Sequence, residues 1–91
     1  SVKHNITEAN KVRNVLEKLK IFSNKVTANF LLLNFDKCKF SADYIFNQLQ
    51  LKGIILRSTE DGYNIKNKLR LTIGSKKENM KFITTIKTIF N

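Results

Sequence analysis

The sequence contains no proline, one cysteine, one histidine and three glycines. One cysteine cannot form a disulfide within the chain, and no second cysteine or histidine stands at metal-ligand spacing from Cys38. This pattern favours a reducing compartment, so we expect a cytoplasmic protein without a metal. The single histidine, His4, lies near a terminus, which favours an exposed position over a catalytic one.

Long apolar runs are missing as well. No segment approaches the roughly 20 apolar residues of a membrane-spanning helix. The first residues also lack the apolar core of a signal peptide. We therefore expect a soluble chain without a membrane partner. The 91 residues suffice for one two-layered core, so the sequence predicts a single domain over residues 1–91.

Acidic residues are few: seven stand against 17 basic ones, which gives a net charge of +10. Such an excess can indicate a polyanionic partner, because clustered lysines and arginines release counterions from nucleic acid. Here 14 of the 17 basic residues are lysines, spread thinly along the chain, and the longest run is Lys76-Lys77. A solvated surface explains this charge better. The alternative is a free-standing basic module that binds nucleic acid or another polyanion.

Catalytic patterns are also missing. The seven carboxylates show no paired spacing, and the three glycines form no phosphate-binding loop. Five phenylalanines fall on apolar faces and are typical of a core, with Tyr63 as the exception in a polar stretch. They are Phe30, Phe35, Phe46, Phe82 and Phe90. The sequence therefore predicts no catalytic residues in this chain.

The first half of the chain predicts a helix, a strand and a second helix. Apolar residues recur at helical spacing over residues 7–20, with Thr7 as N-cap and Glu8 at the positive end of the helix dipole. Residues 28–35, "ANFLLLNF", predict a strand that is apolar on both faces. Such a strand is usually covered on both sides, which suggests that this domain packs against something larger.

The second helix is predicted over residues 42–52, with Ser41 as N-cap and Gly53 after its end.

The second half predicts two strands and a third helix. The strands cover residues 54–57 and 68–73, joined by a polar loop, and the helix runs to about residue 90. Ser75 and Glu78 have the spacing of a capping box at its start. The element order α-β-α-β-β-α indicates an α+β fold, in which helices pack on a small sheet of about three strands.

Two of the three arginines stand out on these strands. Arg57 ends the first strand, and Arg70 lies in the middle of the second, between leucines that share the opposite face. If the strands are neighbours, both guanidinium groups emerge on one face, roughly 5–10 Å apart at their origins. Arginine binds carboxylate or phosphate bidentately, so the pair is a candidate anion site.

An alternative is an ion pair of each arginine with a nearby acid such as Glu60 or Asp61. The third arginine, Arg13, precedes Glu17 by four residues, and we expect a helical ion pair between them.

Three stretches carry a resemblance to a known family. "ANFLLLNF", "GIILR" at 53–57 and "GYNIKNKLRLTIGSKKENMKFI" at 62–83 resemble, in order and spacing, the C-terminal small domain of histidinol-phosphate aminotransferases. These are class I/II, pyridoxal-phosphate-dependent aminotransferases. The resemblance implies that Arg70 binds the carboxylate or phosphate of an amino-acid or amino-phosphate substrate, and that Arg57 contributes to the same site.

The resemblance also implies a larger enzyme. In the family, the pyridoxal 5'-phosphate and its lysine belong to a large domain, which this chain lacks, and the intact enzyme acts as a cytoplasmic homodimer in histidine biosynthesis. The resemblance therefore implies that the large domain of the same enzyme is the partner, and that this chain alone is inactive. The resemblance implies no nucleic-acid partner.

The chain departs from the family pattern where proline is common. Lys25-Val26 stands in place of Pro-Ser, and Ser58 and Lys66 occupy two other positions that often hold proline. These differences predict looser loops. Other aminotransferase subfamilies, such as the aspartate or aromatic ones, would keep Arg70 and bind a different substrate.

Overall fold

The computed structural model of the chain describes residues 2–25, 29–58 and 66–91. In this part of the chain, three helices and four strands follow one another in the order α-β-β-α-β-β-α. Their bounds are α1 (Val2–Lys18), β1 (Phe22–Lys25), β2 (Phe30–Asn34), α2 (Ala42–Leu51), β3 (Arg57–Ser58), β4 (Lys68–Thr72) and α3 (Lys76–Phe90).

The strands form one antiparallel sheet in the order β1-β2-β4-β3. The predicted α+β class, with helices packed on a small sheet, is confirmed. Two details of the prediction are wrong. Strand β1 was not predicted, because its sequence, FSNK, has one apolar residue and pairs with β2 only in the folded chain. The strand predicted over residues 54–57 is displaced: among the described residues of this segment, Arg57 and Ser58 are the ones that pair with β4.

The buried side chains of β2 and β4 lie on one face of the sheet and share one core with buried residues of all three helices. In β2 the side chains alternate, so that Leu31 and Leu33 are fully buried while Phe30 and Leu32 on the opposite face are half-buried. This alternation is the one predicted for a strand with two apolar faces. The fully buried large side chains of the core are Val12, Leu16, Ile21, Leu31, Leu33, Phe35, Ile45, Leu49 and Ile86.

Helix α1 begins earlier than predicted. It starts at Val2, so Thr7 lies inside the helix and donates from its hydroxyl to the carbonyl of Lys3 (3.0 Å), as interior threonines do. The predicted cap at Thr7 and the predicted dipole role of Glu8 are therefore wrong. A tertiary contact adds to this extra turn: the Asn5 side chain donates to Asn29 Oδ1 at 2.8 Å.

The predicted caps of α2 are confirmed. The hydroxyl of Ser41 accepts from the backbone N–H of Tyr44 at 3.1 Å. After the helix ends, Gly53 adopts φ +86°, the left-handed conformation that glycine reaches without strain.

The capping box of α3 is confirmed as well. Its two hydrogen bonds join the Ser75 hydroxyl to the N–H of Glu78 (3.2 Å) and the Glu78 carboxylate to the N–H of Ser75 (3.0 Å). The turn between β4 and α3 is thus fixed by local hydrogen bonds. Strand β4, which carries Arg70, leads into this turn.

Candidate anion-binding site

Arg57 and Arg70 lie directly opposite one another in the sheet. The antiparallel register of β3 and β4 pairs Arg57 with Arg70 and Ser58 with Leu69. Directly opposed residues point to the same face, with Cα atoms about 4.5–5.5 Å apart. The two arginines are therefore adjacent, as the spacing predicted.

The two guanidinium groups differ in their surroundings. Arg57 is exposed, whereas Arg70 is half-buried and its Cζ lies 5.4 Å from the ring centre of Phe30 on the neighbouring strand. Within the described residues neither arginine forms an ion pair with a carboxylate; the ion pair found there joins Lys11 to Glu8. The proposed partners Glu60 and Asp61 lie outside the described residues, as does Tyr63.

Both arginines line a cleft of about 390 Å³ between β3, β4 and the beginning of α3. The other polar residues that line the cleft are Thr72, Glu78, Asn79 and Lys81, and its apolar lining includes Ile54, Ile55, Leu56 and Phe82. The carboxylate of Glu78 is engaged in the capping box, and the hydrogen bonds from Ser75 lower its pKa below the usual 4.5. Two arginines and one lysine thus line the cleft beside apolar residues, a composition suited to an anionic small molecule.

Strand β4 is anchored at both ends by asparagine side chains. At its start, Asn67 has φ 60°, accepts from the N–H of Ala42 (2.7 Å) and donates to Asp36 (3.1 Å). At its end, Asn79 accepts from the N–H of Gly74 (2.9 Å) and donates to the carbonyl of the same residue (3.1 Å). The strand that carries Arg70 is therefore tied to both α2 and α3.

Asn79 is also tied to α1. Its amide donates to Glu8 Oε1 at 3.1 Å, and both side chains are buried. This hydrogen bond is the main cause that lowers the pKa of Glu8; burial opposes it, and Lys11, at 3.3 Å, adds to it. The sequence analysis did not predict this pair. The available signal was that Asn79 shares the buried face of α3 with Phe82 and Ile86.

The third arginine does not belong to the site. Arg13 donates to the Ser23 hydroxyl (3.1 Å) and to the Ser23 carbonyl (3.5 Å), which joins α1 to the edge strand β1. The predicted ion pair with Glu17 is wrong, because the edge strand offers Arg13 two acceptors.

The described residues contain no cluster of three or more histidine, cysteine or acidic side chains that could hold a metal ion. In the same part of the chain, no helix combines the length and apolar character that crossing a membrane requires. The described lysine side chains are all exposed, except the half-buried Lys68. A lysine that binds an aldehyde cofactor covalently needs a desolvated position, so these exposed side chains do not fit such a role.

Comparison with solved structures identifies the fold. The chain superposes on a histidinol-phosphate aminotransferase from Clostridium acetobutylicum with a TM-score of 0.73 and 23% identity, covering 91% of this chain and 25% of that one. A decarboxylase from Sulfurospirillum multivorans gives a TM-score of 0.77 at 22% identity, covering 98% and 26%. The fold is therefore that of a domain forming about a quarter of these larger enzymes. No family model matches the chain.

Sequence comparison is more specific. The chain is 87% identical over all 91 residues to a histidinol-phosphate aminotransferase from Pelagibacter ubique (strain HTCC1062), and covers 25% of it. A second relative, the histidinol-phosphate aminotransferase from Parabacteroides distasonis, is 37% identical over 95 aligned residues, which cover 98% of this chain and 26% of that protein. The chain is thus homologous to a small domain of histidinol-phosphate aminotransferases, and it spans about a quarter of their length.

Proposed function

We propose that Arg70 and Arg57 bind the anionic group of an amino-phosphate or amino-acid substrate in a pyridoxal-phosphate-dependent aminotransferase of the histidinol-phosphate type. The observation that carries this proposal is their direct opposition on β3 and β4, at a common cleft. Each guanidinium group can donate two parallel hydrogen bonds to a carboxylate or phosphate. Their combined charge matches a doubly charged phosphate.

The two arginines have different parts in this site. Arg70 lies in the longer strand and rests against the Phe30 ring, so its guanidinium group is held near one position before an anion arrives. Arg57 is more exposed and lies in a strand of two residues. Arg70 therefore supplies the larger share of the binding free energy, and Arg57 adds a second positive charge and a second pair of hydrogen-bond donors. Anchoring the anion orients the substrate amine for reaction.

The cofactor and the rest of the enzyme belong to the same proposal. Pyridoxal 5'-phosphate supplies the electron sink for amino-group transfer, and a large domain of the same enzyme would hold it, since the described lysines of this chain do not fit it. In this arrangement residues 1–91 form one domain, which supplies substrate-binding arginines and no catalytic residue. The intact enzyme would be a cytoplasmic homodimer in histidine biosynthesis.

A chimeric enzyme tests the proposal. The aligned segment of the Pelagibacter ubique histidinol-phosphate aminotransferase is replaced by this 91-residue chain, and transamination is assayed with histidinol phosphate. At 87% identity the chimera should retain the activity of its parent. Arg70→Gln should raise the KM for histidinol phosphate roughly ten- to a hundredfold, because charged hydrogen bonds contribute about 1.5–3 kcal/mol each.

The matched variants sharpen this result. Arg70→Lys keeps the positive charge but cannot donate two parallel hydrogen bonds, so it should recover only part of the affinity. Arg57→Gln should raise KM less than Arg70→Gln. Lys37→Gln removes the same charge from an exposed side chain outside the cleft and should leave KM within about twofold, since distant exposed charges are screened. An inactive chimera, or equal effects of Arg70→Gln and Lys37→Gln, would overturn the proposal.

A further inference from the structure

Two buried polar side chains lie next to the cleft. Among the described residues, Glu8 and Asn79 are the polar or charged residues of the core, with 4% and 5% of their surface exposed. Burying such groups costs free energy unless their hydrogen bonds are made. Here each buried side-chain nitrogen and oxygen in the described part of the chain has a partner.

The Asn79 side chain forms hydrogen bonds with both backbone groups of one residue, Gly74. Its Oδ1 accepts from the N–H of Gly74, and its Nδ2 donates to the carbonyl of Gly74. The second proton of Nδ2 goes to Glu8 Oε1. Both donors of the Asn79 amide are therefore used, and Gly74 is held at two points rather than one.

Glu8 fixes the orientation of this amide. An ionised carboxylate only accepts hydrogen bonds, so it selects the orientation in which Nδ2 faces α1. With the amide reversed, its oxygen would face the carboxylate and its two contacts with Gly74 would be mismatched. Lys11 lies 3.3 Å from the second carboxylate oxygen and, with Asn79, keeps Glu8 ionised.

The clamped residue, Gly74, lies two residues beyond the strand that carries Arg70. Gly74 follows Arg70 by four residues, and between them the N–H of Ile73 donates to the carbonyl of Asn29 at 2.7 Å. Gly74 and Asn79 line the same cleft as both arginines. A shift of this corner therefore changes the cleft wall and moves the end of β4.

We propose that the Glu8–Asn79 pair is a positioning element for the anion site: Glu8 orients the Asn79 amide, which clamps Gly74 and thereby sets the position of Arg70 relative to Arg57. This inference rests on the proposed function of the two arginines. Neither Glu8 nor Asn79 needs to touch the anion. A purely structural pair would instead stabilise the packing of α1 against α3 without affecting substrate affinity.

The chimeric enzyme described above separates these roles through three variants. Asn79→Asp keeps the acceptor for the Gly74 N–H but removes both donors and places a carboxylate against that of Glu8. Glu8→Gln keeps an acceptor for the Asn79 amide. In the double variant Glu8→Gln/Asn79→Asp, the amide at position 8 can donate a hydrogen bond to the carboxylate at position 79. The contact is restored with donor and acceptor exchanged. Asn10→Asp, on an exposed position of α1, adds the same charge as a control.

The positioning role predicts an effect on KM. Asn79→Asp should raise the KM for histidinol phosphate about tenfold with kcat changed much less, since two hydrogen bonds are lost and two carboxylates face each other. Glu8→Gln should stay within about threefold of the unmodified chimera, and the double variant should fall between the two, because each retains most of the hydrogen bonds. Asn10→Asp should leave KM unchanged.

Two outcomes would overturn the inference, and both differ from failure of the proposed function. In the first, Asn79→Asp has an unchanged KM and a lower urea midpoint. In the second, the KM of the double variant is as high as that of Asn79→Asp. If Asn79→Asp does not fold, the comparison of Glu8→Gln with the double variant decides. If Arg70→Gln itself leaves KM unchanged, the anion site, and not the clamp, is refuted.

Discussion

Arg57 lies directly across from Arg70 in the register of β3 and β4, so two cations share one face of neighbouring strands. Like charges in opposed positions destabilise a sheet. In the described residues no carboxylate forms an ion pair with either guanidinium group. A bound anion would relieve this repulsion, so binding and stability should be coupled at this pair.

The first prediction uses this coupling in the 91-residue chain. Without phosphate, Arg57→Gln should leave the urea midpoint unchanged or slightly higher, because it removes the repulsion. Phosphate should raise the midpoint of the unmodified chain and raise that of Arg57→Gln less, since a ligand stabilises only the state that binds it. Urea titrations with and without phosphate, at constant ionic strength set with sodium chloride, measure both effects.

Lys37→Gln serves as the charge-matched control for this titration and should respond to phosphate like the unmodified chain. Equal stabilisation of Arg57→Gln and the unmodified chain by phosphate would contradict the coupling.

The second prediction concerns the capping box of α3. Hydrogen bonds from Ser75 lower the pKa of Glu78 below 4.5 in the folded chain. A carboxyl group with a lowered folded pKa contributes stability above its unfolded value and loses it as the pH falls through the folded pKa. The urea midpoint should therefore decrease below about pH 4.5, and this decrease should be smaller in Glu78→Gln. Glu17→Gln removes an equal charge from an exposed side chain and should alter the pH profile less.

Ser75→Ala removes the other half of the same box. It should lower the free energy of unfolding by about 1 kcal/mol at pH 7, the usual cost of losing an N-cap. Urea denaturation measures this value. No change in stability would indicate that the N-terminus of α3 is held by other contacts.

The third prediction concerns the close approach of Gly74 and Glu78. A Cβ atom at residue 74 would lie 2.8 Å from Glu78 Oε1, closer than van der Waals contact allows. Gly74→Ala should therefore displace the Glu78 carboxylate and destabilise the chain about as much as Ser75→Ala. The same substitution should cost less in a Glu78→Ala background, because the displaced group is gone.

Gly53→Ala provides the contrast for this cycle. Gly53 has φ +86°, and a Cβ atom added there would meet nothing within 4 Å, so its substitution is costly through backbone strain alone. Gly53→Ala should lower the free energy of unfolding by the same amount with and without the Glu78 side chain. A double-mutant cycle by urea denaturation tests this, and equal coupling at both glycines would refute the steric explanation.

The fourth prediction addresses the polyanion alternative. Because the lysines are spread over the chain, binding to RNA should be weak, in the range of nonspecific contacts with a Kd of about 10⁻⁶ to 10⁻⁴ M, and should fall steeply with salt. The triple change Lys76→Gln, Lys77→Gln and Lys81→Gln should weaken it only modestly. Filter binding at several salt concentrations measures this. Tight RNA binding that this triple variant abolishes would support the alternative against the aminotransferase assignment.

Some helix ends could be predicted from local sequence signals alone. The ends of α2 and the start of α3 depend on Ser41, Gly53 and the Ser75–Glu78 box, which act within one or two turns. The start of α1 was misassigned because Thr7 has the identity of a cap, while the preceding residues form a further turn of helix whose Asn5 contacts Asn29. Strand β1 could not be found because FSNK has no alternating pattern.

The sequence by itself determined the caps of α2 and α3, the alternation of β2 and the placement of two arginines among the lysines of this chain, because each follows from residue identity and short-range geometry. Only the tertiary structure decided that Arg57 and Arg70 are directly opposed and that Glu8 binds Asn79, 71 positions away. Strand register and buried hydrogen bonds join residues distant in sequence, and they form only when the whole core assembles.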